Sequence, residues 1–101
     1  MKIIKIMVEK IEEEMRDAES YAKLALTHKE DNPELSDLFL NLSKQETTHA
    51  TMLHTQAERI IKEYREKGNE PPAAMLAVWT WEHGKMIDNM ARIKAMQDMV
   101  R

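Results

Sequence analysis

The sequence predicts an all-α fold: an antiparallel helical hairpin followed by a third long helix, the whole completing a helical bundle by dimerisation. Three observations lead there. Helix breakers are scarce, two glycines and three prolines in 101 residues, and all but Gly84 fall in two short stretches. Between those stretches, apolar residues recur at three- and four-residue spacing, the period of a helix with one buried face. The composition, 33 % charged and 43 % hydrophobic and rich in Ala, Glu, Lys, Leu and Met, is that of a long-helix protein.

Helix 1 is predicted over about 3–29. Its apolar row is Ile4, Met7, Ile11, Ala18, Ala22 and Ala25, with Glu14 at the register point between Ile11 and Ala18. The run from His28 to Glu34 ends it and starts the next helix: Asn32 suits an N-cap, Pro33 the first helical position, and Glu34 and Asp37 the positive end of the helix dipole. Helix 2 is predicted over about 33–67, with an apolar row at Leu35, Leu38 or Phe39, Leu42, Leu53, Ala57, Ile60 and Tyr64. Lys62, Arg65 and Lys67 favour its C-terminus, and Gly68 stops it. Asn69-Glu70-Pro71-Pro72 launches helix 3, predicted over about 72–100. Its row is Met75, Val78 or Trp79, Met86, Met90, Ile93, Met96 and Val100, with Glu82 at a register point. Two short connections make the helices antiparallel neighbours, up-down-up.

A chain of this length is one domain, 1–101, with a thin core that gains by association with copies of itself. Net charge is −3 with acidic and basic residues intermixed, so no basic surface argues for nucleic acid. The absence of cysteine excludes disulfides, thiolate metal sites and a rubredoxin-type iron centre. The apolar run at Met1–Val8, broken by Lys5, is too short for a signal peptide or a membrane span, and the expected location is cytoplasmic.

The chemistry concentrates where polar residues occupy apolar register positions. Glu46 and His49 do so in helix 2, spaced Glu-x-x-His, and residues three apart project from one helix face. Inward carboxylates are rare without a compensating partner. Glu14, Glu46 and His49 together are either a buried hydrogen-bond network or a metal site, and the metal reading is the stronger. Divalent iron and manganese accept carboxylates and imidazole together. A di-iron centre of this type uses four carboxylates and two histidines. The chain offers half that set, and a twofold dimer doubles three ligands to six. The simplest complete site therefore lies between two subunits.

Glu14 is followed seven residues later by Tyr21, in Glu14-Met15-Arg16-Asp17-Ala18-Glu19-Ser20-Tyr21, and thirty-two residues later by Gln45-Glu46-Thr47-Thr48-His49. Over roughly 8–65 this resembles the first helical hairpin of the ferritin-like superfamily, in particular rubrerythrins and the encapsulated ferritins. The resemblance implies that Glu14, Glu46 and His49 bind iron. It also implies a half-bundle chain whose di-iron centre forms between two subunits. Trp81-Glu82-His83 is similar to the Tyr-Glu-His run in the third helix of rubrerythrins, which makes Glu82 a further expected ligand. A fourth helix with its own Glu-x-x-His is absent. An encapsulin shell enters as a partner through the same resemblance, although Lys94–Arg101 does not resemble an encapsulin-targeting tail.

Other residues have plainer readings. Tyr21, two turns from Glu14, is core packing or a hydrogen-bond partner of a ligand carboxylate. His54 and His83 are surface or packing residues, and His28 is a helix C-terminal cation. Glu12, Glu13 and Glu19 form a solvated face. The nine methionines are adaptable core filler. Trp79 and Trp81 project about 200° apart, so one is buried and the other is available to an interface. Gly84 points to a kink or the close approach of another helix.

The expected function is that of a ferritin-like di-iron carboxylate protein, with Glu14, Glu46 and His49 as the active residues. Iron is the expected metal, with manganese and zinc as alternatives, and Fe(II) is oxidised by oxygen or peroxide in a homo-oligomer. Without cysteine there is no rubredoxin-type centre to deliver electrons, which favours ferroxidase over peroxidase chemistry. Two other readings stay open: a non-catalytic helical adaptor with a buried Glu/His network, and a zinc or mononuclear site of Glu14, Glu46, His49 and Glu82 within one chain. All of the metal readings stand on a shielded His49, and a solvent-exposed one overturns them together.

Overall fold

The computed structural model describes all 101 residues. Three α-helices run Lys2–Thr27 (α1), Pro33–Glu66 (α2) and Ala73–Val100 (α3), with no strand. They form a rod of 57 × 17 × 17 Å. Both predicted breaks fall within two residues of their place. Asn32 caps α2, its side-chain oxygen accepting from the Leu35 N–H at 3.3 Å, and Pro33 takes the first helical position. At the far end Gly68 adopts φ +84°. Its N–H donates to the Arg65 carbonyl and that of Asn69 to the Tyr64 carbonyl, closing the last turn in the paired-bond pattern that a left-handed glycine permits.

The α1–α2 hairpin closes on small residues. On α1 the buried positions Ile4, Ile11, Ala18 and Ala25 recur every seven residues, flanked by Val8, Met15 and Ala22. On α2 the same interval picks out Ser36, Ser43, Ala50 and Ala57, with Leu40 and Ile61 beside them. A seven-residue repeat on both partners specifies a left-handed, nearly aligned crossing. Alanine and serine let the two backbones approach. The serines gain a bond from that closeness: Ser36 Oγ donates to the Ala25 carbonyl at 2.6 Å and Ser43 Oγ to the Ala18 carbonyl at 2.7 Å.

The row expected to bury in α2 is therefore not the one at its core. Leu35, Phe39, Leu42, Leu53, Ile60 and Tyr64 are only half-buried, Leu38 is exposed, and of that row only Ala57 reaches the seam. Large apolar side chains marked one face, while the tightest contact uses the small residues next to it. That half-covered face carries Glu46 and His49.

α3 lies mainly on α1. Ile93, Gln97 and Val100 are buried, and Gln97 Nε2 donates to Ser43 Oγ at 2.9 Å. Trp79, Met86, Met90 and Met96 pack against the Ile11–Ala22 core, as the Met-rich row predicts. Trp81 is 66 % exposed, and Val78, Ile87 and Met99 are exposed as well. Ion pairs to the hairpin run Arg92–Glu19, Arg101–Asp37 and Lys85–Glu12. Glu12 and Glu19 thus face α3, where a purely solvated face was expected; Glu13 is exposed and pairs with Lys10. A Cβ at Gly84 would meet nothing within 4 Å, so no close helix approach explains that glycine. No helix is long and apolar enough to cross a membrane.

Candidate metal centre

Glu14 from α1 and Glu46 and His49 from α2 converge across the hairpin. His49 Nδ1 lies 3.6 Å from Glu14 Oε2 and 3.7 Å from Glu46 Oε1. One donor atom from each of the three fits within 4.8 Å of the others. Seam packing positions them: Ala18 and Ala50, both fully buried, sit one turn beyond Glu14 and Glu46 and hold the helices close at this level. The separations are too long for hydrogen bonds. No hydrogen bond within the chain engages any of the three side chains, although both separations are ion-pair distances for a protonated His49. Two carboxylates and an imidazole that converge in this way suit a divalent iron or manganese ion.

His49 departs from expectation. Its side chain is 51 % exposed, whereas Glu14 and Glu46 are 27 % and 18 % exposed. At this exposure His49 meets the condition that overturns a metal site complete within one chain, and only a second copy covering this face would supply the shielding that the metal readings require. The reason is the register: Glu46 and His49 belong to the half-buried row beside the seam, and His49 stands at its outer edge. Nearby on that face Tyr21 stacks on Phe39 with ring centroids 6.1 Å apart, so Tyr21 packs and takes no hydrogen bond to Glu14. His28 ends α1 and pairs with Asp31 at 3.3 Å.

Glu82 is not brought to this cluster. It stands in the groove between α1 and α3, 3.6 Å from Lys85 and lined by Glu12, Met15 and Glu19. Glu12 and Glu14 are two residues apart and project about 200° from one another, which separates the two carboxylate groups across α1. A four-ligand site of Glu14, Glu46, His49 and Glu82 within one chain does not form. Burial, with the neighbouring Glu12 carboxylate, raises the Glu82 pKa, and Lys85 offsets part of that. Glu19 moves the other way, its carboxyl held down by the hydrogen bond from Arg92.

A second donor cluster went unread in the sequence. His54 Nε2 and His83 Nδ1 are 2.6 Å apart, and Glu58 Oε1 lies 3.6 Å from His54 Nε2. The His54 ring stacks on Trp79 at 4.9 Å. Burial pulls the His54 pKa down, against Glu58 and together with His83. Taken singly, these histidines looked like packing residues. The available signal was the i, i+4 spacing of His54 with Glu58 and of Trp79 with His83.

The family model described as Rubrerythrin matches residues 5–96. Nothing among curated proteins or solved structures matches the chain.

Proposed function

The chain belongs to the rubrerythrin family, and we propose that it is a di-iron carboxylate protein whose ferroxidase or iron-handling site is shared between two copies of the chain. One observation carries this reading. Three donor groups converge without a hydrogen bond on a half-apolar face that the chain itself leaves open. Three donors are half of a six-ligand di-iron set, and a twofold axis through that face supplies the other half.

Covering this face with its own copy buries Phe39, Leu42 and Leu53 and shields His49, the condition that the single chain leaves unmet. The carboxylates of Glu14 and Glu46 supply the negative charge that two divalent ions need, and His49 supplies a neutral nitrogen through Nδ1. Helices anchored by the alanine–serine seam hold these groups in one geometry as charge changes. Iron held there supplies one-electron oxidation chemistry toward oxygen or peroxide. Manganese and zinc fit the same donors and compete in the assay below.

Anaerobic titration of metal-free protein with Fe(II) tests the proposal. Saturation near one iron per chain, lost in Glu46→Ala and accompanied by dimerisation, is the expected result, followed by iron-dependent oxygen consumption. No stoichiometric binding of iron, manganese or zinc sinks the metal reading and leaves an oligomeric helical protein. Full binding by a monomer overturns the shared site.

A further inference from the structure

His54, Glu58 and His83 lie where α2 meets α3, on another face of α2 from His49. Five residues separate His49 from His54, about 7.5 Å along the helix and about 140° around it. No side chain of the first cluster reaches the second. We propose that His54, His83 and Glu58 bind one divalent transition-metal ion of the zinc class within a single chain, clipping α3 to the hairpin.

The donor set selects the ion class. Two imidazoles and one carboxylate suit zinc, cobalt or nickel, whereas calcium and magnesium demand oxygen and thiolate-seeking ions find no sulfur ligand. The geometry is one small adjustment away from coordination. Nitrogens bound tetrahedrally at about 2.0–2.1 Å from one ion stand about 3.3 Å apart. The facing nitrogens here are 2.6 Å apart, so the rings open slightly. Glu58 Oε1, 3.6 Å from His54 Nε2, has a smaller distance to close. Its side chain is free to do so, being 55 % exposed and without an ion-pair partner other than His54.

Without an ion the facing nitrogens share a hydrogen bond, one of them carrying the proton. An ion takes the place of that proton, and each neutral ring then carries its proton on the outer nitrogen, Nδ1 of His54 and Nε2 of His83. Trp79 fixes the plane of the His54 ring from one side, as a supporting contact to a ligand imidazole does. The mechanical effect falls where the fold is weakest. α3 touches α2 much less than it touches α1, and an ion held by two α2 residues and one α3 residue ties that contact.

Cobalt(II) titration of the full chain carrying Glu46→Gln and His49→Gln isolates this site from the first. One cobalt per chain, with visible absorption bands displaced by zinc and a rise in melting temperature on zinc addition, is expected. His83→Gln should abolish the bands. Glu58→Gln alters an exposed residue, should keep its helical circular dichroism, and should weaken binding by at least about tenfold. Absence of saturable binding overturns the proposal, and so does binding unchanged by Glu58→Gln.

Discussion

The α1–α2 hairpin and α3 are built by different rules, although all three elements are long helices. The hairpin seam is made of residues that nearly vanish from solvent, Ala18, Ala22, Ala25, Ser36, Ser43, Ala50 and Ala57, all at 0 % exposure. α3 buries only three residues and covers its contact with half-exposed methionines and Trp79. Small rigid side chains allow one spacing and one register, whereas methionine adapts to several. The difference bears on the proposed site. Glu14, Glu46 and His49 ride on the tightly packed pair, and α3 is the element left more adjustable to a bound ion or a partner.

The largest effect that tests this contrast is expected from overfilling the seam. Ala50→Leu inserts three carbons where two backbones nearly touch, and should cost about 1–3 kcal/mol. For a chain of this size that lowers the melting temperature by roughly 10 °C, compared at equal protein concentration. Met90→Leu on α3, a swap that nearly conserves volume at a half-covered site, should cost well under that. Equal losses in the two variants would mean that the seam is no tighter than the α3 contact.

The polar link between the two regions comes next. Ser43 donates to the Ala18 carbonyl and accepts from Gln97, so one hydroxyl joins all three helices. Ser43→Ala removes a bond within the seam and strands the buried Gln97 amide, an expected cost of about 1–2 kcal/mol. Adding Gln97→Leu should recover part of it, because removing both partners is cheaper than orphaning one. A double-mutant cycle by urea unfolding checks this, and strict additivity would show that Ser43 and Gln97 do not act as a pair.

How legible these regions were follows from the same physics. Pro33, Gly68 and the Asn32 cap announce the helix ends through backbone geometry that depends on the local sequence alone. The α1 row was readable because Ile4 and Ile11 are both large and buried. In α2 the large residues, Leu35 through Tyr64, mark the face left half-open, while Ser36 and Ser43 carry no hydrophobic signal and their burial rests on bonds to the opposite helix. Glu46 and His49 stand out in the sequence because they interrupt the large-residue row, and the exposure of His49 is not legible there because that row looks like a core. The likeness of Trp81-Glu82-His83 to a rubrerythrin motif, together with its register, assigns Glu82 to the site, yet α3 sets it against Glu12. The His54–His83 pair depends on how α3 crosses α2, which no local pattern encodes.

Glu82 gives the smallest test, and its direction follows from the pKa. Burial and Glu12 raise the folded-state pKa above the unfolded value, so the native state holds that proton more tightly. The stability contributed by protonated Glu82 is full below the unfolded value of about 4.3 and is lost as pH rises through the raised folded value. Glu82→Gln keeps the neutral shape at every pH, although it gives up the attraction of Lys85. Its melting temperature relative to the parent should therefore climb from about pH 4 upward and level off once Glu82 is ionised in the folded parent. A difference that stays flat across that range would show that Glu12 and Glu82 do not oppose each other, and that α3 is seated on α1 more loosely than its groove contacts require.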